Sequence, residues 1–272
     1  MMFTDKFYLT AENYFSPEAS QYFLSVSQYK NFIGTMGKLG CEAQATALLN
    51  GDWQMDEKST ALLVGSYVDA HFEGTLATFK AHNPEIFTQK GTLKAEYKQA
   101  EEIINRIERD QLFMQHMSGD KQTIMTAEMF GSPWKIKIDS YIKDKCIVDL
   151  KVMKSLKEHF WTKDTGYLDF IQYWGYDIQG AVYQEAVYRI TGQRLPFFIA
   201  AASKEKETDI ELIWVPDEHL HEKLIEVERN TPKIMMLKNK EVEPIRCETC
   251  DYCKHTKVLK KPIHFSELLG EI

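Results

Sequence analysis

The sequence predicts an α/β (α+β) fold, a central mixed sheet flanked by helices, and three observations predict it. Apolar residues at helical spacing dominate the chain up to Met117. A meander of strands with two-residue alternation follows, from Thr123 to Met153. One long helical stretch then separates the meander from two further strands, and a crossover of that kind makes a parallel strand pair.

Each element has a local reason. Residues 25–33 form a short helix. Residues 59–81 read as one helix capped by Ser59, on which Gly65, Asp69 and Glu73 recur every four residues and share a face. Thr92 to about Met117 is a second, charged amphipathic helix. Thr123–Phe130 is a strand that turns at Gly131-Ser132-Pro133. Trp134–Ile142 and Cys146–Met153 are strands joined by Lys143-Asp144-Lys145. Gly166 to Arg189 is the long helix, Leu195–Ala202 and Asp209–Val215 are strands, and Pro216 to Met236 contains a last amphipathic helix.

A chain of 272 residues with 44% apolar content suits one domain with a sizeable core. The expected division is an N-terminal elaboration (1–58), a core (59–236) and a cysteine-containing tail (237–272). There is no signal pattern and no apolar run long enough to span a bilayer, so a cytoplasmic protein without a membrane partner is expected. The net charge of −7 argues against a non-specific nucleic-acid coat. Between Phe130 and Lys157, however, seven lysines stand against three acids.

That basic stretch holds the most informative pattern. If the hairpin is centred on Asp144, Asp139 lies opposite Asp149 and Lys137 opposite Lys151, with Cβ atoms about 5 Å apart. Two carboxylates that close repel and need a cation between them. Two facing lysines invite an anion. A hard divalent metal, phosphate oxygens and a lysine satisfy both conditions, which is a phosphodiester-cleaving site. Asp139, Asp149 and the backbone carbonyl of Leu150 are the expected ligands of Mg²⁺ or Mn²⁺. Asp69 or Glu73 supplies a further carboxylate, and Lys151 acts on the water or the developing charge. Gly65, one turn before Asp69, offers clearance for a neighbouring strand or substrate, while His71 falls on another side of the helix. Glu128 comes near Lys135 if the preceding turn is tight, and would then also reach the metal. A single D-x-K tripeptide is commonplace on an exposed strand; the combination carries the weight.

On the long helix, Gln172, Tyr176, Gln179 and Tyr183 make one polar-aromatic stripe, suited to holding phosphate or sugar oxygens beside a metal. The cysteines are unevenly placed: Cys146 is isolated, while Cys247, Cys250 and Cys253 form C-x2-C-x2-C. In a reducing compartment that spacing reads as metal binding rather than disulfides, and Cys41 is the available fourth thiol.

Taken together, Gly65-SYVDAHF-Glu73, Lys137-I-Asp139, Asp149-L-Lys151 and Gln179-GAV-Tyr183 resemble the PD-(D/E)xK nuclease superfamily, in its exonuclease VIII-like branch related to the recombination helicase–nucleases. The resemblance runs from about Val26 to Thr256. It implies a restriction-endonuclease-like core and metal-dependent digestion of double-stranded DNA ends from the 5′ side. Phage or bacterial recombination, a single-strand annealing partner and a homo-oligomeric ring belong to the same expectation. Gln179 and Tyr183 match the branch's Q-x3-Y motif and would orient the scissile strand. The chain departs from the branch at Asp69, where G-x3-H is usual. Several relatives hold a [4Fe-4S] cluster with one early and three late cysteines, which Cys41, Cys247, Cys250 and Cys253 reproduce with a shorter final spacing. Four thiolates also suit structural Zn²⁺. No Walker A motif is present, so the chain is not itself a helicase. The alternative is a non-catalytic DNA-binding module on a nuclease fold stabilised by the cysteine site.

Overall fold

A computed structural model describes residues 7–55 and 59–266. Helices α1 (Pro17–Tyr22), α2 (Val26–Ile33) and α3 (Glu42–Asn50) open the chain, followed by α4 (Thr60–Glu73), α5 (Leu76–His82), α6 (Ala95–Glu108) and α7 (Gln111–His116). Strands β1 (Asp120–Met129), β2 (Ser132–Ile142) and β3 (Cys146–Met153) form the meander. A small hairpin, β4 (Phe160–Thr162) and β5 (Gly166–Leu168), leads into α8 (Phe170–Trp174) and α9 (Tyr176–Thr191). The chain ends with β6 (Phe197–Ser203), β7 (Ile210–Val215), α10 (Asp217–Lys238) and α11 (Asp251–His255).

The main sheet has the order β1-β2-β3-β6-β7. Only β3 and β6 run parallel, joined by the α9 crossover, and the other pairs are antiparallel. The expected mixed sheet is therefore present. It separates two apolar clusters. On one side Trp134, Ile136, Ile138, Phe197 and Ile199 pack with Val182 and Val187 of α9 and Leu224 of α10. On the other, Val148, Leu150, Ala200 and Ala202 pack with Val64 and Val68 of α4 and Ile103 and Ile107 of α6. Strand β6 thus alternates Ile199 and Ala200 between two buried faces, as a central strand must. Helix α9 lies close on it: a Cβ at Gly180 would come within 2.6 Å of the Phe197 ring.

Three expected helices are broken, each by an identifiable stop. The 59–81 helix ends at Gly74, whose left-handed φ of 78° closes α4 as a C-cap. The helix ending near Met117 restarts at Asp110, whose carboxylate accepts a hydrogen bond from Phe113 N–H (2.9 Å) as the N-cap of α7. The long helix from Gly166 begins only at Tyr176: Gly166–Leu168 is a strand, and Gly175 (φ 64°) divides α8 from α9. The first hairpin turn also sits earlier than expected, with Phe130 (φ 55°) and Gly131 (φ 75°) both left-handed between paired Met129 and Ser132. Among the described residues no helix is long and apolar enough to cross a membrane.

Candidate active site at the fork of two strands

The β2–β3 ladder pairs Ile142 with Cys146, Tyr141 with Ile147 and Ser140 with Val148, so the hairpin is centred on Asp144 as expected. There the backbone pairing stops. Asp139 and Asp149 are not ladder partners; instead Asp139 Oδ2 accepts a hydrogen bond from the Leu150 N–H (2.8 Å) and Oδ1 accepts one from Gln122 Nε2 (3.2 Å). The Asp139 side chain replaces the missing strand partner on one edge of β3, while β6 pairs along its other edge. Lys137 and Lys151 consequently part company as well. The Lys137 ammonium lies 5.2 Å from the Phe15 ring centroid and that of Lys151 lies 4.9 Å from the Tyr176 ring.

Asp149 is only 1% exposed. Its Oδ1 accepts from Gln179 Nε2 (2.6 Å), and its Oδ2 forms an ion pair with Lys151 Nζ but lacks a well-directed hydrogen bond. Burial pushes the Asp149 carboxyl up to about 6; Lys151 opposes the shift and Asp139 adds to it. Burial works against the Lys151 charge, yet Asp149 and Asp139 hold its pKa above the usual lysine range. At neutral pH both members of the pair are therefore charged.

Helix α4 delivers Asp69 and Glu73 to the same place. They line a cavity of about 10 Å³ with Asp139, Leu150 and Gln122, about the room one water or small ion needs. Burial, then repulsion from Asp139, raises Asp69 well above the ordinary carboxylate value. Burial also raises Glu73, with Lys137 opposing, and Thr75 Oγ1 donates to its Oε2 (3.2 Å). The donors are hard oxygens, the cavity is of ion size, and the buried Oε1 of Gln122, one of its lining residues, lacks a hydrogen-bond partner. These residues fit a small divalent cation.

No strand approaches Gly65, and a Cβ there would meet open space. His71 points away from the cluster to Glu108 (2.8 Å). Glu128 pairs with Pro133 and is exposed; six residues of strand, roughly 20 Å, separate that position from Asp139. The glutamine–tyrosine stripe is shortened by the Gly175 break, which leaves Gln172 on α8. Gln179 and Tyr183 remain, and both brace the fork: Gln179 holds Asp149, and the buried Tyr183 hydroxyl donates to the Lys137 carbonyl (2.9 Å).

Residues 25–256 match the family model of a PDDEXK-like domain of unknown function. The chain belongs to this PDDEXK-like family. A crystal structure of a "Putative exonuclease" from Eubacterium rectale superposes with a TM-score of 0.94 at 61% sequence identity, covering 98% of this chain and 100% of that one. No functionally curated protein matches the chain. Asp139, Asp149 and Lys151 lie at one sheet fork of this PDDEXK-like domain.

Two residues beside this cluster escaped the sequence reading. Gln122 lies one residue before the expected start of β1, between Lys121 (paired with Ser140) and Thr123 (paired with Ile138), which sets it beside Asp139. Its φ of 50° is unusual for a strand residue and turns its amide toward that carboxylate. Lys30 of α2 donates to the Trp174 carbonyl (3.1 Å) and lies 5.4 Å from the Tyr176 ring centroid. Burial, then Lys151, lowers its pKa to about 8. Tyr176 is the shared platform under Lys30 and Lys151. Beside the fork, Lys30, Lys135, Lys137, Gln179 and Tyr183 line a cavity of about 270 Å³ with Tyr14 and Phe15. The structure also gathers Cys41, Cys247, Cys250 and Cys253 into one group, whereas Cys146 is buried in the apolar cluster beneath α4 and α6.

Proposed function

We propose that this PDDEXK-like chain is a metal-dependent exodeoxyribonuclease that resects double-stranded DNA ends for recombination, digesting 5′ to 3′. The fork carries the reading: Asp139 and Asp149 lie where the β2–β3 ladder has stopped, beside Lys151, and Asp69 and Glu73 line an ion-sized cavity with Asp139. The name of the 61%-identical Eubacterium rectale protein supports exonuclease chemistry, and the motif resemblance supports the polarity. Asp139, Asp149, the Leu150 carbonyl and Asp69 or Glu73 would hold Mg²⁺ or Mn²⁺. Such an ion, when bound, activates water and stabilises charge on the phosphate and its leaving oxygen.

The chain's own groups do the rest. Lys151, kept charged by its acidic neighbours, positions the water or neutralises the phosphate. Lys137 and Lys30 offer positive charge to the strand along the adjoining cavity. Gln179 and Tyr183 hold the carboxylates and β2 in place, and through them orient the scissile strand. The reading takes the chain as a single nuclease domain, cytoplasmic, with the ring assembly and annealing partner that the resemblance implies.

The test is incubation of linear and closed-circular duplex with Mg²⁺, each linear end carrying a distinct label. Loss of linear DNA alone, with the 5′ label released first, is expected, and Asp139→Asn slows it by about 10²–10³. Intact linear duplex with either Mg²⁺ or Mn²⁺, or equal digestion by Asp139→Asn, would overturn the assignment.

A further inference from the structure

The four cysteines form a second site, apart from the carboxylate fork. Cys41 is the N-cap of α3, near the start of the chain, and the other three surround the start of α11 near its end. All four sulfurs lie within 4.8 Å of one another, with Cys41 to Cys253 at 3.6 Å and Cys247 to Cys253 at 4.0 Å. These separations are far too long for disulfides, whose sulfurs stand about 2 Å apart.

The separations distinguish between metal groups. A tetrahedral zinc–thiolate site has Zn–S bonds of about 2.3 Å, so its sulfurs stand about 3.8 Å apart. The two observed contacts bracket that length. In a [4Fe-4S] cluster each thiolate binds a different iron, and the whole iron–sulfide core must fit between the sulfurs. Four sulfurs confined within 4.8 Å leave no room for such a core.

The surroundings suit a compact anionic centre. Backbone N–H groups of Gln44, Cys250 and Cys253 donate to the sulfurs of Cys41, Cys247 and Cys250 at 3.3–3.4 Å. Donors of this kind hold thiolate charge and orient the ligands. Arg246 brings a guanidinium alongside by donating to the Cys253 carbonyl (2.6 Å). Cys41 and Cys253 are buried.

We infer that Cys41, Cys247, Cys250 and Cys253 hold a single structural zinc ion, not an iron–sulfur cluster. On binding, the four thiols release their protons to solvent and become thiolates. Four protein ligands leave the ion no open position for substrate or water, so it takes no part in hydrolysis. Its effect is mechanical: it ties α3 to the segment after α10.

The full-length chain purified without oxygen tests this by metal and acid-labile sulfide content. One zinc per chain, no sulfide and no broad visible absorption are expected. Replacement of the zinc by Co²⁺ then yields the intense visible bands of a tetrahedral sulfur site. Asp139→Asn keeps its zinc, whereas Cys250→Ser loses it together with the Co²⁺ bands. Iron and sulfide in about fourfold excess over chain overturn the inference. So does a chain that takes up neither zinc nor Co²⁺, or one that loses its zinc on Asp139→Asn.

Discussion

The Asp139 carboxylate and the Leu150 backbone are joined by a 2.8 Å hydrogen bond, and this bond marks the point where β2 and β3 separate. Under the proposed function the side chain has two tasks, satisfying a strand N–H and offering an acid to a cation. Asp139→Asn separates them. The amide oxygen still accepts from Leu150, and Gln122, whose Oε1 has no partner, can turn to receive the new N–H. Asp139→Asn should keep its urea midpoint while kcat falls by about 10²–10³. Asp139→Ala should in addition lose about 1–3 kcal/mol, because the Leu150 N–H is left unpaired. Equal stability of the two variants would deny the structural task.

Asp149 and Lys151 are a buried ion pair, and removing one member strands the other. Asp149→Asn should cost about 3 kcal/mol, the low end for such a change, because Lys151 keeps 18% side-chain exposure. Asp149→Asn with Lys151→Met should recover part of that loss while remaining inactive. Urea titrations of the single and double variants decide; an additive double variant would show that the pair is not coupled.

The raised carboxyl of Asp149 makes the chelated protein sensitive to pH. Its folded value of about 6 lies above the usual 3.8, so the folded state holds the proton more tightly than the unfolded one. This contribution to stability is complete below about pH 4 and is lost as pH rises through about 6, amounting to at most about 3 kcal/mol. Asp69 and Glu73 shift in the same direction. In EDTA the thermal midpoint should therefore carry a component that falls across this window. Mg²⁺, taking the place of the proton, should raise the midpoint far more at pH 8 than at pH 5. An equal effect of Mg²⁺ at both values would remove the carboxylates from the ion site.

Much of the fork was legible because it depends on short-range pattern. The polar turn around Asp144 set the register of β2 against β3, and the helical spacing of Asp69 and Glu73 placed both on one face. What period alone could not reveal was where the ladder ends, because Asp139 abandons backbone pairing through a side-chain bond that alternation does not encode. Gly74 and Gly175 were passed over for a related reason: apolar spacing continues across them while a left-handed φ stops the helix. Gln122 was missed by one residue at a strand end. Lys30 was invisible because only the tertiary fold brings α2 beside Trp174 and Tyr176. For the cysteines, spacing singled out Cys247, Cys250 and Cys253 and left Cys41 as the available fourth thiol, but the separation of their sulfurs is a property of the folded chain.

Tyr183 is a positioning residue whose hydroxyl supports the Lys137 carbonyl. Tyr183→Phe leaves that carbonyl without its donor and should cost about 1 kcal/mol. If the support matters for alignment, kcat should fall several-fold with KM little changed, and Mg²⁺ titration should show the same midpoint. A rise in KM alone would instead assign the hydroxyl to strand binding.

Lys137 occupies a different position, its ammonium above the Phe15 ring at the cavity that adjoins the fork. Among the described residues that ammonium makes no hydrogen bond or ion pair, its neighbours being the Phe15 and Tyr14 rings. Lys137→Gln should thus leave the thermal midpoint within about 0.5 kcal/mol-equivalent of the parent. If the ammonium meets a DNA phosphate, the variant binds duplex ends more weakly whatever their sequence. The slope of log affinity against log salt then becomes shallower by about 0.9, the release of one counterion. Binding measured across a salt series, with Ca²⁺ in place of Mg²⁺ to withhold cleavage, gives that slope directly. An unchanged slope would take Lys137 off the path of the strand, and the cavity with it.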